Sequence, residues 1–278
     1  MTVLEVVQVT TAYFNKHTIE SPRLNAEHLL AHVLGRKRIE LYLEFERELT
    51  ESELAPLRVL VKRRGGGEPL QHLLGTAEFC GHVFLCDKRA MVPRPETEEL
   101  VELLKSQIRN SKSRILDVGT GSGVIALSLA MKFPETEILA VDISDDALAL
   151  ARENAAGLNL SDRVGFVKSN LLENVQGTFD LIVANLPYIS TQQRRALSRE
   201  VLHDPEISLF ASARGDELVR HVIAQAPPHL RPGGMLALEI GFDQSKALLS
   251  ALAEKNYRDI YSKTDYSGVT RFLFARYG

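Results

Sequence analysis

The sequence predicts an α/β domain with a mostly parallel sheet and a terminal antiparallel hairpin, preceded by a small helical bundle. From Arg114 onward, short apolar runs alternate with helical patterns, which implies strands joined by right-handed crossovers. Residues 1–75 carry helical periodicity alone. The last two strand-like runs flank Tyr266-Ser267-Gly268, which reads as a turn.

In chain order, Thr2-x-x-Glu5 and Thr50-x-x-Glu53 have the form of capping boxes at helix starts. Between them Ala26, Leu29, Leu30, Val33 and Leu34 share one helical face, which Gly35 stops. A third face carries Leu54, Leu57, Leu60 and Val61 and ends at Gly65-Gly66-Gly67. No residue here has an evident catalytic role, so holding a partner and simple packing both stay open. Phe79, Val83, Phe84, Leu85 and Val92 among Gly81, Asp87 and Lys88 suggest a hairpin. Pro93-Arg94-Pro95-Glu96-Thr97-Glu98 then starts a helix through Leu104, since proline followed by acids suits a helix N-terminus. Strands are expected near 114–118, 137–142, 164–168, 179–184, 234–240, 256–262 and 270–276. Helices are expected near 122–132, 144–156, 216–226 and 243–254. The expected division is a helical partner-binding domain at 1–75, a hairpin linker at 76–97 and the α/β domain at 98–278.

Composition narrows the function. The 278 residues are 45% hydrophobic and carry a net charge of −3, enough apolar content for a real core. Gly35-Arg36-Lys37-Arg38 and Lys62-Arg63-Arg64 are short and read as solvated helix ends. Direct nucleic-acid binding is therefore not expected, while a protein partner remains open. Cys80 and Cys86 have no grid of further Cys or His around them, so reduced thiols and no metal are expected. No apolar run is long enough to span a membrane and no signal-peptide pattern follows Met1. A cytoplasmic monomer is the expectation.

The chemistry-bearing stretch is Asp117-Val118-Gly119-Thr120-Gly121-Ser122-Gly123, set between the apolar runs Ile115-Leu116 and Val124–Leu127. Strand, glycine turn and helix in that order mark the place where α/β sheets bind nucleotide-like cofactors. A dinucleotide fingerprint would need glycine at 124, where Val124 stands. The form Asp-x-Gly-x-Gly-x-Gly resembles the first motif of S-adenosylmethionine (SAM) methyltransferases. Its acid suits a ligand bearing an ammonium group. Asp142 ends the next strand, 23 residues after Gly119, near the spacing at which an acid meets ribose hydroxyls. A solvated strand end or a helix cap is the other use for it.

Asn185-Leu186-Pro187-Tyr188 follows the strand Phe179–Ala184. It resembles the Asn/Asp-Pro-Pro-Tyr signature of methyltransferases that modify a planar NH2 nitrogen. Such a nitrogen shares its lone pair with a π system and is a poor nucleophile. Two acceptors on its N–H bonds hold it and favour density returning to nitrogen. The Asn185 side-chain oxygen and the Leu186 carbonyl are the two acceptors. Pro187 stiffens the turn without adding a donor, and Tyr188 offers a flat face.

Further stretches are Gly67-Glu68-Pro69-Leu70-Gln71, Glu78-Phe79-Cys80-Gly81, Val92 to Glu98, Glu200-Val201, Asp204-Pro205, Gly233-Gly234, Leu238-Glu239-Ile240-Gly241 and Gln244. With these, the chain resembles the HemK-type protein-glutamine methyltransferases of translation release factors, nearly end to end. The resemblance implies a seven-stranded SAM-dependent methyltransferase (Rossmann-like) sheet with its terminal hairpin. It implies methyl transfer to the Gln side-chain amide in the Gly-Gly-Gln loop of class I release factors, leaving S-adenosylhomocysteine. Asp117, Gly119 to Gly123, Asp142 with Ile143, Asn170, Leu171 and Asn185 would hold SAM. Asn185 to Tyr188 would hold the glutamine amide. Three positions depart from the family pattern: Leu186 replaces a proline, Asn170 an aspartate, and Asp216-Glu217 stands for Asp-Gly. An amino-group methyltransferase acting on adenine in RNA or DNA is the second reading. A non-catalytic SAM- or partner-binding protein is the third.

Overall fold

The computed structural model describes residues 1–108 and 112–278. They form two compact units, Met1–Thr76 with Ser198–His203, and Ala77–Leu197 with Asp204–Gly278.

The smaller unit is helical: α1 (Val3–Lys16), α2 (Pro22–Leu34), α3 (Glu51–Gly65) and α4 (Leu70–Leu74), with a 3-10 turn at Arg38–Leu43. The Thr2 hydroxyl accepts from the Glu5 N–H at 3.3 Å while the Glu5 carboxylate accepts from the Thr2 N–H at 2.9 Å. Helix α2 ends on Gly35 in the left-handed region, at φ 62°. Val3, Val6, Phe14, Leu29, Leu30, Leu41 and Leu57 fill the core. Arg64 is buried, yet each of its nitrogens donates. It reaches Asn25 Oδ1 at 2.6 Å, the Glu68 carbonyl at 2.9 Å and Glu200 Oε2 at 2.7 Å. A buried guanidinium needs that full set of acceptors, which is how Ser198–His203 comes to belong with these helices.

The larger unit begins with a hairpin, β1 (Thr76–Phe79) and β2 (His82–Leu85), followed by α5 (Pro95–Lys105). Then come β3 (Arg114–Val118), α6 (Val124–Lys132), β4 (Glu137–Asp142), α7 (Asp145–Gly157), β5 (Val164–Lys168) and β6 (Phe179–Asn185). The rest is α8 (Glu206–Leu209), α9 (Glu217–Gln225), β7 (Leu230–Glu239), α10 (Ser245–Glu254), β8 (Tyr257–Thr264) and β9 (Thr270–Tyr277). The expected seven-stranded sheet is present, in the order β5-β4-β3-β6-β7-β9-β8. Strands β5 to β7 are parallel, and β9 runs antiparallel between β7 and β8. Strand β7 starts earlier than the sequence suggests. Leu230 already pairs with Phe179, and a register shift absorbs Arg231–Gly234 before Met235 meets Leu181.

Both faces of the sheet are covered, as a parallel sheet requires. Ile115, Leu181 and Val183 join α5 and α6 in one core. Leu116, Val118, Ile182 and Ala184 join α9 and α10 in the other. Strand order reverses between β3 and β6, and ligands of such sheets bind at the carboxyl ends of the strands at that reversal. Among the described residues, no helix is long and apolar enough to cross a membrane.

Candidate active site

At that reversal opens a cleft of about 310 Å³. It is lined by the glycine loop after β3, the ends of β4 and β6, the Arg89–Arg94 segment and residues 205–211.

Asp117 does not face the cleft. It is fully buried under the N-terminus of α6, where its Oδ2 accepts from the Thr120 hydroxyl at 2.7 Å and the Ala126 N–H at 3.2 Å. Gly123 at the cap of α6 has no side chain to offer, so this carboxylate from the preceding strand serves the helix end. Burial pushes Asp117 up to about 7, against those hydrogen bonds. Its second oxygen, Oδ1, is buried without a partner.

Asp142 lines the cleft and also ties the loop together. Its Oδ2 accepts from the Gly121 N–H and its Oδ1 from the Ser144 N–H, both at 2.9 Å. Burial raises its pKa. Each carboxylate oxygen has a second lone pair, so the group can still accept from a vicinal diol. The cap of α7 is a separate residue, Ser144, whose hydroxyl accepts from the Ala147 N–H at 3.2 Å. Ile143 stands half exposed beside Asp142 on the cleft wall. Asn170 and Leu171 line the cleft too. The Asn170 amide donates to Glu173 at 2.7 Å, and Leu171 holds a left-handed φ of 50°. Strained non-glycine backbone of this kind gathers at ligand sites.

Asn185 ends β6 opposite Glu239, the last residue of β7. Its Nδ2 donates to the Thr97 hydroxyl at 3.0 Å, and that hydroxyl donates to Glu239 Oε2 at 2.8 Å. Glu239 is 1% exposed, and burial lifts it to about 7. Asn185 itself lines the cleft. Leu186 is buried with its side chain against Gly119, and Leu186 and Pro187 complete that wall. Tyr188 lies outside the main cleft, in a small adjoining pocket that it shares with Asn185, Leu186 and Pro187. Its carbonyl accepts from Gln244 Nε2 at 3.0 Å, and the Arg271 guanidinium sits 5.9 Å from its ring centre. A Cβ at Gly215 would come within 2.6 Å of that Tyr188 carbonyl, so glycine is what lets the two segments approach. Among the described residues, no group of His, Cys, Asp and Glu side chains could hold a metal ion.

Residues 5–75 match the family described as PrmC N-terminal domain, and residues 95–212 the one described as Methyltransferase small domain. The release factor glutamine methyltransferase of Chlorobaculum tepidum is 39% identical over 98% of this chain and 96% of its own length. The chain belongs to the release factor glutamine methyltransferase family. Solved methyltransferases share the fold of this family member. The crystal structure of ribosomal protein L11 methylase from Lactobacillus delbrueckii subsp. bulgaricus has a TM-score of 0.51 at 29% identity, over 66% of this chain and 81% of that one. The Thermus thermophilus 16S rRNA N2 G1207 methyltransferase, solved with AdoMet and guanosine, has a TM-score of 0.52 at 18% identity, over 73% of this chain and 50% of that one.

In this release factor glutamine methyltransferase homologue, the cleft and the layer behind it also include residues without a sequence motif of their own. Thr97 lies in the Pro93–Glu98 run, which looked like a connection between domains. Glu239 was one member of the Leu238–Gly241 stretch with no role attached. Asp204, buried, accepts from the Val92 N–H at 3.1 Å and from Arg94 at 2.6 Å, and so holds that lip of the cleft. Ile207, Ser208 and Phe210 form the far wall. Thr97 and Glu239 sit at element ends and Ile207 and Ser208 in the four-residue α8, where periodicity carries no signal.

Proposed function

We propose that this methyltransferase transfers the methyl group of SAM to the side-chain amide nitrogen of the Gln in the Gly-Gly-Gln loop of class I release factors. The observation that carries this reading is the Asn185 amide. Its nitrogen is committed to Thr97, which leaves its oxygen, next to the Leu186 carbonyl, to receive the two N–H bonds of a planar amide. When bound, SAM supplies a methyl carbon made electrophilic by its sulfonium. The free lone pairs of Asp142, which lines the cleft, suit the ribose of that ligand. Ile143, Asn170 and Leu171 would flank the base, and the Gly119–Gly123 loop would follow the rest.

Transfer of the methyl carbon to the glutamine nitrogen would leave the carbon–sulfur electron pair on sulfur, and the proton shed by nitrogen after transfer would pass to solvent. The nitrogen grows positive on the way and its N–H bonds become more acidic. Acceptors at Asn185 and Leu186 then bind the transition state more tightly than the ground state. No base is needed before attack.

The helical unit is read as the part that holds the release factor. Its 3-10 turn exposes Ile39 and Leu43, an apolar pair suited to a protein partner. A fragment beginning near Thr76 is expected to bind SAM and to methylate intact release factor poorly at subsaturating concentration. Equal rates for fragment and full chain would remove the docking role. The decisive test of the function is a mass spectrum of the release-factor peptide after incubation with SAM, run beside an RNA of adenine-rich sequence. Methyl on the Gly-Gly-Gln glutamine is expected; methyl on RNA alone would favour the nucleic-acid reading.

A further inference from the structure

Three side chains from three elements meet behind the reacting wall of the cleft: Asn185 at the end of β6, Thr97 in the first turn of α5 and Glu239 at the end of β7. The direction of the hydrogen bonds along this chain has a chemical consequence. A hydroxyl has one proton. While the Thr97 proton goes to an ionised Glu239, only lone pairs are left for Asn185, so Asn185 must present its NH2 to Thr97. The Asn185 oxygen is then turned to the cleft. If Glu239 takes a proton, the chain can run the other way. Glu239 donates to Thr97, Thr97 donates to the Asn185 oxygen, and the NH2 faces the cleft. An NH2 there meets the substrate N–H donor to donor and holds nothing.

We propose that Thr97 and Glu239 are positioning residues whose hydrogen-bond direction decides which atom of the Asn185 amide faces the methyl acceptor. This rests on the glutamine-methylating reading given above. The groups around Glu239 act in both directions. Burial favours the neutral acid. Thr97 and Asn185 favour the carboxylate, as does Arg271 on β9, whereas Glu96 on α5 opposes it. Glu239 and the Tyr188 phenol, on the loop after β6, each disfavour the charged form of the other. The balance sits at about 7, so the orientation changes across the neutral range and the methylating form is the ionised one.

The test uses the full chain, SAM and intact release factor, with single-turnover rates, KM and SAM affinity measured from pH 5.5 to 9. Thr97→Val removes the hydroxyl and keeps the shape; Thr97→Ser keeps the hydroxyl. The expected result for Thr97→Val is a loss of about tenfold to a hundredfold in rate, below the full cost of deleting a preorganised contact. SAM affinity and release-factor KM should stay within about threefold, and Thr97→Ser should recover most of the rate. The parent rate should rise with pH through about 7, and Glu239→Gln should lose that rise. A Thr97→Val rate equal to that of the parent, or an unchanged pH rise in Glu239→Gln, overturns the proposal. A second arm does not depend on the acceptor. The Asn185 side-chain NH2 resonances of free parent protein should shift with pH as Glu239 titrates and should stop doing so in Thr97→Val. Resonances indifferent to pH in the parent overturn the proposal. A parent that leaves release factor unmethylated yet shows the coupled shift overturns the substrate reading alone.

Discussion

The Leu186 side chain occupies the space that a Cβ on Gly119 would need, with its Cδ2 2.7 Å from that position. Gly119 also holds φ at 75°, so two constraints fall on one residue. The glycine loop and the loop that ends β6 are thus fitted to one another through the Leu186 side chain.

Gly119→Ala should therefore destabilise the protein through both backbone strain and the clash. Leu186→Ala should cost about 2–3 kcal/mol as a buried truncation. In the double variant the clash is gone and the φ strain remains, so a coupling of at least ~0.5 kcal/mol is expected between the sites. Urea unfolding of the four proteins measures it. Strict additivity would mean the loops are not fitted together.

Asp142→Ala should weaken SAM binding by roughly 1.5–3 kcal/mol, the loss of a charge-assisted hydrogen bond. It should also lower the melting temperature without ligand, because the Gly121 and Ser144 N–H groups lose their acceptor. Calorimetry and thermal unfolding separate the two effects. Unchanged SAM affinity would remove Asp142 from the ribose role.

Asn185→Ala should slow single-turnover methylation by about 10²–10³ with SAM affinity changed far less, as for loss of one preorganised polar contact. A rate within about threefold of the parent, only ~0.65 kcal/mol of barrier, would show that this loop does not hold the reacting nitrogen.

Glu239 ties stability to pH. Its pKa rises from 4.5 to about 7 on burial, so the folded state holds its proton more tightly than the unfolded chain does. The sign follows: stability from this group is full below about 4.5 and falls as pH climbs toward about 7. Glu239→Gln should remove that fall. The parent-minus-variant difference in unfolding free energy should change by something on the order of 3 kcal/mol between pH 4.5 and 8. A difference that stays flat with pH would mean Glu239 ionises normally.

The α/β class, the seven strands and the two loops that end β3 and β6 were legible in the sequence. Each is a local property: an apolar run of fixed length, a glycine where the backbone must turn left-handed, an Asn and a Pro where a strand ends. The roles of the acids were not. Asp117 reads as a ligand for a cation, yet one of its oxygens is spent on α6 and only the other is left over. Asp142 reads as a ribose acceptor, yet it also closes the glycine loop on β4. Thr97 stands 88 residues before Asn185 and looked like part of a helix start. Only the β6–β7 register sets Glu239 beside Asn185, and only the docking of α5 sets a hydroxyl between them. Ser198–His203 lies within the sequence span of the α/β domain and joins the helical unit because a buried arginine needs a carboxylate there. Periodicity records which side of an element is apolar. It holds no record of which polar groups from distant elements must share one buried proton; that is decided when the strands align and exclude water.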